Sequence, residues 1–313
     1  MNPAPGLASG PITLAVTGAT GLIGSALVTL MRSHGHTVRR LVRSTQQLQA
    51  GDALWNPEAD AIDPAVLEGC SAIVHLAGEP IARRWTAARK QELRASRIRG
   101  TTLLARTVSA MAVKPTVVVS GSAVGYYGDR GDEVLDERSA PGSDFLATVV
   151  KEWEAAAQPI ADAGVRLVVM RSGIVLSPRG GALAKLLPPF RLGLGGPIGS
   201  GRQWMSWISL SDHLRAIQHA IFTESLTGPA NFVAPNPVPN AAFATTLGRV
   251  LMRPAIIPVP AFALQLAFGE MAEATILAGQ RVLPTALGAS GFEFTEPTLE
   301  GALRAELRAE LRA

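Results

Sequence analysis

Short apolar runs alternate with helically spaced segments along the first two-thirds of the chain. Ile12, Leu14 and Val16, with Thr13 and Ala15 between them, form a strand-like run suited to burial on both faces. The segment after it carries Leu22, Ala26, Leu27 and Leu30 at the spacing of one helix face. Similar apolar runs recur at Thr37–Val42, Ala72–Leu76, Thr116–Ser120 and Val165–Ser172, with a short one at Asp52–Asn56. Between and after them lie helical stretches at Ile81–Ala110, Asp144–Gln158, Asp212–Phe222 and Asn240–Leu251, and a brief one in DPAVLEGC. Strands that alternate with helices predict an α/β fold: a doubly wound parallel sheet covered by helices on both faces.

The first strand runs straight into Gly18, Gly21 and Gly24, which open the first helix. Strand, glycine turn and helix together make a Rossmann-type dinucleotide-binding element. Gly18 permits the sharp turn, Gly21 lets the backbone approach a pyrophosphate, and Gly24 lets the helix pack closely on the sheet. The amides and positive dipole end of the helix then face the phosphates, so Gly18, Ala19, Thr20, Gly21, Leu22, Ile23 and Gly24 are the first candidate cofactor contacts. The end of the second strand selects the cofactor. No Asp or Glu occurs between Gly24 and Asp52, so the acidic partner of a ribose 2′-hydroxyl is missing there. Arg43 ends that strand, after Arg39 and Arg40, and a guanidinium forks onto a 2′-phosphate. NADP(H) is the expected cofactor, with NAD(H) possible and Arg43 as the principal contact; Arg39 and Arg40 suit solvated surface better.

The glycine spacing is GxxGxxG, and TGATGLIG resembles the extended and atypical short-chain dehydrogenase/reductase superfamily. The resemblance implies several further contacts. HLAG, at His75–Gly78, is similar to the stretch that packs beside the cofactor, which implicates Leu76, Ala77 and Gly78, with His75 itself a strand residue. The long basic helix would pass the adenine end with Glu92 and Arg97. SGSAVGYYGD resembles the serine-rich stretch that follows the central strand, implying Ser120 and Gly121 at the cofactor and Ser122 as the group that holds a substrate hydroxyl or carbonyl. Tyr126 and Tyr127, the two tyrosines of the chain, lie beside that serine and are candidates for proton transfer or for packing. Val175 would pass the nicotinamide side.

The superfamily's YxxxK pair is absent. Aligning the later glutamate to Glu154 places Leu146 and Val150 where tyrosine and lysine belong, and Lys151 has Ala147 four residues before it. A tyrosine acid whose pKa a lysine lowers is the usual proton-transfer device, and it is missing here. This departure, with the stretches HLAGEPIARRWT, SRIRGTTLL, KEWEAAA, RSGIVLS, PFRLGLGGPIGSGRQWMSWI, GPANFVAPNPVPN, LGRVLMRPAIIPVPAFAL and QRVLPTALGASGF, identifies the chain as a member of the atypical group called epimerase family proteins. The resemblance runs from about Ile12 to Leu303. It implies an NADP(H)-binding oxidoreductase or nucleotide-sugar epimerase-like enzyme, or else a non-catalytic NADP(H)-binding regulatory or scaffold protein, for example one linked to division.

Gly180–Gly201 is rich in Gly and Pro and reads as a long functional loop or lid. With Arg191, Arg202, Trp204 and Trp207 it forms either a substrate wall, as for a sugar, or a seal at a domain junction. Asp212, or Ser211, is the expected cap of the next helix. From Gly228 prolines become frequent, which marks short strands and turns, and the remainder resembles the family's C-terminal domain, implying a smaller α/β cap over the crevice. The expected organisation is a tail over 1–11, a dinucleotide-binding domain over 12–227, the cap over 228–303 and an exposed helical tail over 304–313.

Composition narrows the class further. At 47% apolar and 17% charged residues, with a net charge of +4 spread along 313 residues, neither disorder nor nucleic-acid binding is expected. The lone Cys70 precludes an internal disulfide and fits a reducing compartment, and the scattered histidines suggest no metal site. Val259–Gly279 is apolar but contains Glu270 and Glu273, so it reads as a buried helix instead of a membrane span. A cytoplasmic protein with a small-molecule substrate, monomer or homodimer, is expected.

Overall fold

The computed structural model describes residues 10–310. Most of the expected tail over 1–11, and the last three residues, lie outside the described residues. The chain enters the fold with β1 (Thr13–Thr17), turns through the glycines into α1 (Leu22–Ser33) and returns as β2 (Thr37–Val42), parallel to β1 with Thr13 opposite Thr37. β3 (Ala53–Asn56) and β4 (Ala61–Ile62) extend this edge, β4 antiparallel. β5 (Ala72–His75), α2 (Ala87–Ala110), β6 (Val117–Ala123), the short β7 (Val134–Leu135), α3 (Phe145–Asp162) and β8 (Arg166–Ser172) follow. Next come β9 (Ile174–Leu176), α4 (Gly181–Arg191), β10 (Trp204–Met205), β11 (Trp207–Ser209), α5 (Leu210–Phe222) and β12 (Gly228–Phe232). The strand order of the main sheet is β12-β8-β6-β5-β1-β2-β3-β4. It reverses direction at β1, where a doubly wound sheet opens its ligand crevice.

The strands alternate between two cores, as a period of two requires. Leu14, Val16, Val74, Val117 and Val119 face α1 and α5. Ala15, Ile73 and Val118 face α2 and α3. The cap continues with β13 (Val238–Pro239), α6 (Asn240–Leu251), α7 (Ala261–Phe268), a π-helical turn at Ala272–Leu277, β14 (Arg281–Val282), α8 (Thr285–Ala289) and α9 (Leu299–Glu310). It is tied to the sheet domain by β14 on β7 and by β13 on β10.

Several expectations need correction. The boundary at 227/228 would cut β12 away from β8, with which it pairs from Gly228 opposite Val168 to Phe232 opposite Ser172, so the sheet ends at Phe232. Gly180–Gly201 is no continuous loop. Its first half is α4, which buries Leu183, Leu187 and Phe190 at helical spacing although Pro188 and Pro189 lie inside it. DPAVLEGC makes only a short 3-10 turn over Pro64–Leu67, capped by the Asp63 carboxylate. Val259–Gly279 is split by Gly269 at φ 59, and α7 buries none of its side chains; no helix among the described residues is long and apolar enough to cross a membrane. The C-terminal helix starts at Leu299, before the expected 304, and buries Leu299, Ala302, Leu303 and Glu306.

The cap of α5 is neither Asp212 nor Ser211 but Ser209, whose hydroxyl accepts the Asp212 amide at 3.0 Å. This frees the Asp212 carboxylate, 1% exposed, for a longer-range task. It accepts the amides of Thr295 at 3.0 Å and Glu296 at 2.9 Å, the Thr295 hydroxyl, and Arg215 at 2.8 Å. One carboxylate therefore fastens the segment before α9 to the sheet domain. Asp212→Ala removes the buried acceptor of those two amides, the Thr295 hydroxyl and Arg215, and is expected to cost about 3 kcal/mol of unfolding free energy. Urea denaturation measures this, and a loss below about 1 kcal/mol, the scale of one net hydrogen bond, would show the anchor to be dispensable.

Candidate functional site

The crevice is built around the glycine turn. Gly18 has φ +66, and a Cβ there would lie 2.7 Å from the Leu76 carbonyl carbon and 2.9 Å from the Ala77 nitrogen. At Gly24 a Cβ would meet the Gly18 carbonyl oxygen at 2.2 Å. These contacts press the start of α1 against the turn and the turn against the end of β5. Thr17 completes the junction: its hydroxyl accepts the amides of Leu76 at 3.0 Å and Ala77 at 3.2 Å and pairs with His75 Nδ1 at 2.8 Å. Gly21 caps α1 without any side-chain hydrogen bond, so the first-turn amides at Leu22, Ile23 and Gly24 have no side-chain acceptor at the cap. Ala19 is buried and Thr20 exposed at the turn. Gly180, just before α4, packs on Leu22, where its Cβ would lie 3.4 Å from the leucine methyls.

One end of the crevice gathers the arginines. Arg39 donates to the carbonyls of Val66 and Glu68, and Arg40 forks onto Asp52, with its Nε 2.9 Å from Oδ1. Both are structural ties and not the solvated surface expected for them. Arg43 remains, its side chain 63% exposed and its Nη1 3.6 Å from Glu79 Oε1. Arg97 is largely buried, and burial pulls its guanidinium down to about 10. It donates to the carbonyls of Leu93 and Glu79, lies over the Trp153 ring, and covers Gly78. Glu92 is exposed and paired with Arg89 at 2.6 Å.

At the other end, Ser120 and Gly121 lie in the second half of β6. The Ser120 hydroxyl is buried without a hydrogen-bond partner, and a Cβ on Gly121 would meet both the His75 carbonyl oxygen and Trp153 at 3.0 Å. Ser122 donates to Glu154 Oε1 at 2.6 Å, and that carboxylate is held by Arg171 Nε and Nη2, each at 2.8 Å. Arg171 also donates to the Tyr127 hydroxyl at 3.0 Å, which in turn donates to Asn231 Oδ1 at 2.7 Å. Tyr127 is fully buried, and desolvation pushes its phenol up to about 12. Tyr126 is half-buried with its ring 3.5 Å from the Arg171 guanidinium carbon. The structure thus brings Ser122, Tyr126 and Tyr127 together around one ion pair. Sequence reasoning did not single out Arg171, Asn231 or Thr17, although Thr17 opens TGATGLIG, Arg171 opens RSGIVLS and Asn231 lies in GPANFVAPNPVPN. On α3, Leu146 packs with Trp85, Leu93 and Met271, and Val150 is buried.

The substrate candidates are dispersed. Trp207 is fully buried and donates to the Asn236 carbonyl. Trp204 is half-buried, donates to Asp132 Oδ1 at 2.7 Å and lies under Arg281. Arg202 is exposed beside the turn at Ser200, and Arg191 ends α4, where its carbonyl accepts Arg253 Nε at 3.0 Å. Val175 lies in β9, paired with Ile208 of β11.

A doubly wound sheet with this glycine turn at its switch point defines a Rossmann-type dinucleotide-binding fold. The chain belongs to the NAD dependent epimerase/dehydratase family, whose model matches residues 14–232, and a domain of unknown function, DUF1731, matches residues 259–306. Epimerase family protein Mb2239 of Mycobacterium bovis is 45% identical over 93% of this chain and 96% of its own length. The crystal structure of human epimerase family protein SDR39U1 (isoform 2) with NADPH superposes with a TM-score of 0.88 at 38% identity, over 95% of this chain and 99% of that one. A nucleoside-diphosphate sugar epimerase from Corynebacterium glutamicum gives a TM-score of 0.80 at 38% identity, over 96% of this chain and 59% of that one.

His75 is a structural member of the site. Its Nε2 pairs with the Thr101 hydroxyl at 3.0 Å, and Trp153 Nε1 donates to the same oxygen at 2.9 Å. Burial pushes His75 down to about 4, and His213, also fully buried, down to about 3. Unfolded histidines titrate near 6.5, so below that pH the unfolded chain binds more protons than the folded one. Stability is therefore full above about pH 6.5 and should fall by about 2 kcal/mol per histidine by pH 5. Urea unfolding at pH 7 and pH 5 reads this directly; equal stabilities would show that both imidazoles titrate at their ordinary value.

Proposed function

We propose that the chain is an NADP(H)-binding enzyme of the short-chain dehydrogenase/reductase type, an oxidoreductase or sugar-nucleotide epimerase-like catalyst acting on a small molecule. The observation that carries the cofactor is Arg43, which projects an exposed guanidinium from the end of β2 while Arg39 and Arg40 are tied down. The glycine turn is packed too closely for side chains, at Gly18 against the end of β5 and at Gly24 against the Gly18 carbonyl, and the unpartnered Ser120 hydroxyl suits a polar ligand group. The NADPH named with the human relative supports the same reading. NADP(H) would supply or accept a hydride. Gly18–Gly24 would hold its phosphates, Leu76, Ala77, Gly78, Ser120, Gly121 and Val175 would line it, and Arg97 would fix the loop at Gly78.

The protein groups available for the proton are few. Ser122 and Tyr127 have their hydroxyls committed to Glu154 and Asn231, so their part is to position Tyr126 and the end of β6. Tyr126, or water, is the remaining acid or base. Trp204 and Arg202 are the substrate-side groups of this reading. Trp207 belongs to the cap's core. The second reading, a binding protein without catalysis, is favoured by Leu146 and Val150 at the positions of the missing pair.

Calorimetric titration of NADPH and NADH into wild type and Arg43→Ala tests the cofactor. Losing a charge-assisted fork should weaken NADPH about ten- to a hundredfold and leave NADH nearly unchanged. A mutant that still binds NADPH as tightly as the wild type would remove Arg43 from the site.

A further inference from the structure

An acidic residue reaches the end of β2 from across β1. Glu79 follows the end of β5, and α2 fixes its main chain from both sides. Its amide donates to Ser96 Oγ at 3.3 Å and its carbonyl accepts Arg97 Nη2 at 3.0 Å. The carboxylate is thereby held between two guanidiniums, with Oε1 3.6 Å from Arg43 and Oε2 3.3 Å from Arg89. These arginines are unlike each other. Arg89 is only 11% exposed and is also held by Glu92 at 2.6 Å and by the Pro80 carbonyl at 2.6 Å, so it stays neutralised if Glu79 changes partner. Arg43 is 63% exposed, its contact with Glu79 is longer than a hydrogen bond, and it can leave at little cost.

We propose that Glu79 sets the balance between NADPH and NADH: its carboxylate restrains Arg43 from a 2′-phosphate and supplies the acceptor that a ribose 2′-hydroxyl requires. The inference rests on Arg43 as the phosphate contact. A 2′-phosphate competes with Glu79 for Arg43 and is repelled by it, whereas a 2′-hydroxyl donates to the carboxylate and leaves the Arg43–Glu79 pair in place. A chain with Arg43 alone would favour NADPH strongly, and Glu79 moderates that preference.

The test is calorimetry of both cofactors on wild type, Glu79→Gln, Arg43→Ala and the double variant. Glu79→Gln keeps the side-chain shape and the Arg89 cluster. It should bind NADPH about three- to fivefold more tightly and NADH about three- to fivefold more weakly, the scale of an exposed pair. Glu79→Asp, which withdraws the carboxylate by one methylene, should move the ratio the same way by less. In the Arg43→Ala background the NADPH gain from Glu79→Gln should shrink, since the restraint on Arg43 is gone. Equal changes for both cofactors would mean that Glu79 only braces α2 and would overturn the proposal. So would a Glu79→Gln variant that weakens NADPH. If Arg43→Ala weakens NADPH while Glu79→Gln leaves the ratio unmoved, Arg43 stands and Glu79 falls; if Arg43→Ala changes nothing, both fall.

Discussion

The rest of the molecule depends on the close approach of Gly24 to the Gly18 carbonyl, where a Cβ would lie at 2.2 Å. That contact sets how deeply α1 seats against β1, and the second approach, of Gly18 to Leu76 and Ala77, sets where the chain leaves β5. The Thr17 hydroxyl locks the junction through two amides and His75, and His75 passes the connection to Thr101 on α2 and Trp153 on α3. A line of buried polar contacts therefore joins the glycine turn to both long helices. A network of this kind is costly when half satisfied and rigid when complete, and here His75 has both ring nitrogens paired. The loop that carries Gly78 and Glu79 inherits its position from this junction.

A second network governs the other end of the crevice. Arg171 is 2% exposed and would be prohibitive to bury alone; the bidentate Glu154 carboxylate offsets its desolvation and holds its charge. The groups around it then pack on this pair: Ser122 on Glu154, Tyr127 on Arg171 and Asn231, and the Tyr126 ring on the guanidinium face. The Glu137 carboxylate accepts the amides of Asn231 and Ala286, and the Asn231 side chain donates to the Leu283 carbonyl. The ion pair is thus continuous with the cap. Groups that look chemical in the sequence serve here to satisfy a buried charge.

How much of this was legible varies with the range of the cause. The parallel strands were, because each apolar run carries its own period, and so was the glycine turn, because close approach needs glycine at fixed positions. α4 was hidden because Pro188 and Pro189 signal a breaker locally, while Leu183, Leu187 and Phe190 reward the helix only through tertiary burial. α7 was read as buried from its apolar letters, yet burial depends on what lies opposite, which composition does not record. Ser122 and the two tyrosines were found as a group, but their partners Arg171 and Asn231 lie 44 and 104 residues from Tyr127. No motif spacing encodes such contacts.

The missing Tyr/Lys pair is built into the packing and is not a matter of two side chains. Leu146 lies in an apolar cluster with Trp85, Leu93, Phe145, Met271 and Ile276, so the cap's π-helical turn is packed over this part of α3. A tyrosine at 146 would have to find room for its ring there and a partner for its hydroxyl among hydrocarbon neighbours. A lysine at 150 would bury its ammonium where Val150 is 4% exposed. Both changes would require the cap to open or the cluster to be rebuilt with polar groups. The same sheet and glycine turn thus support two different upper surfaces, one arranged to move protons from α3 and one closed there by apolar contacts. This chain has the second, with apolar contacts closing α3 where the pair would sit.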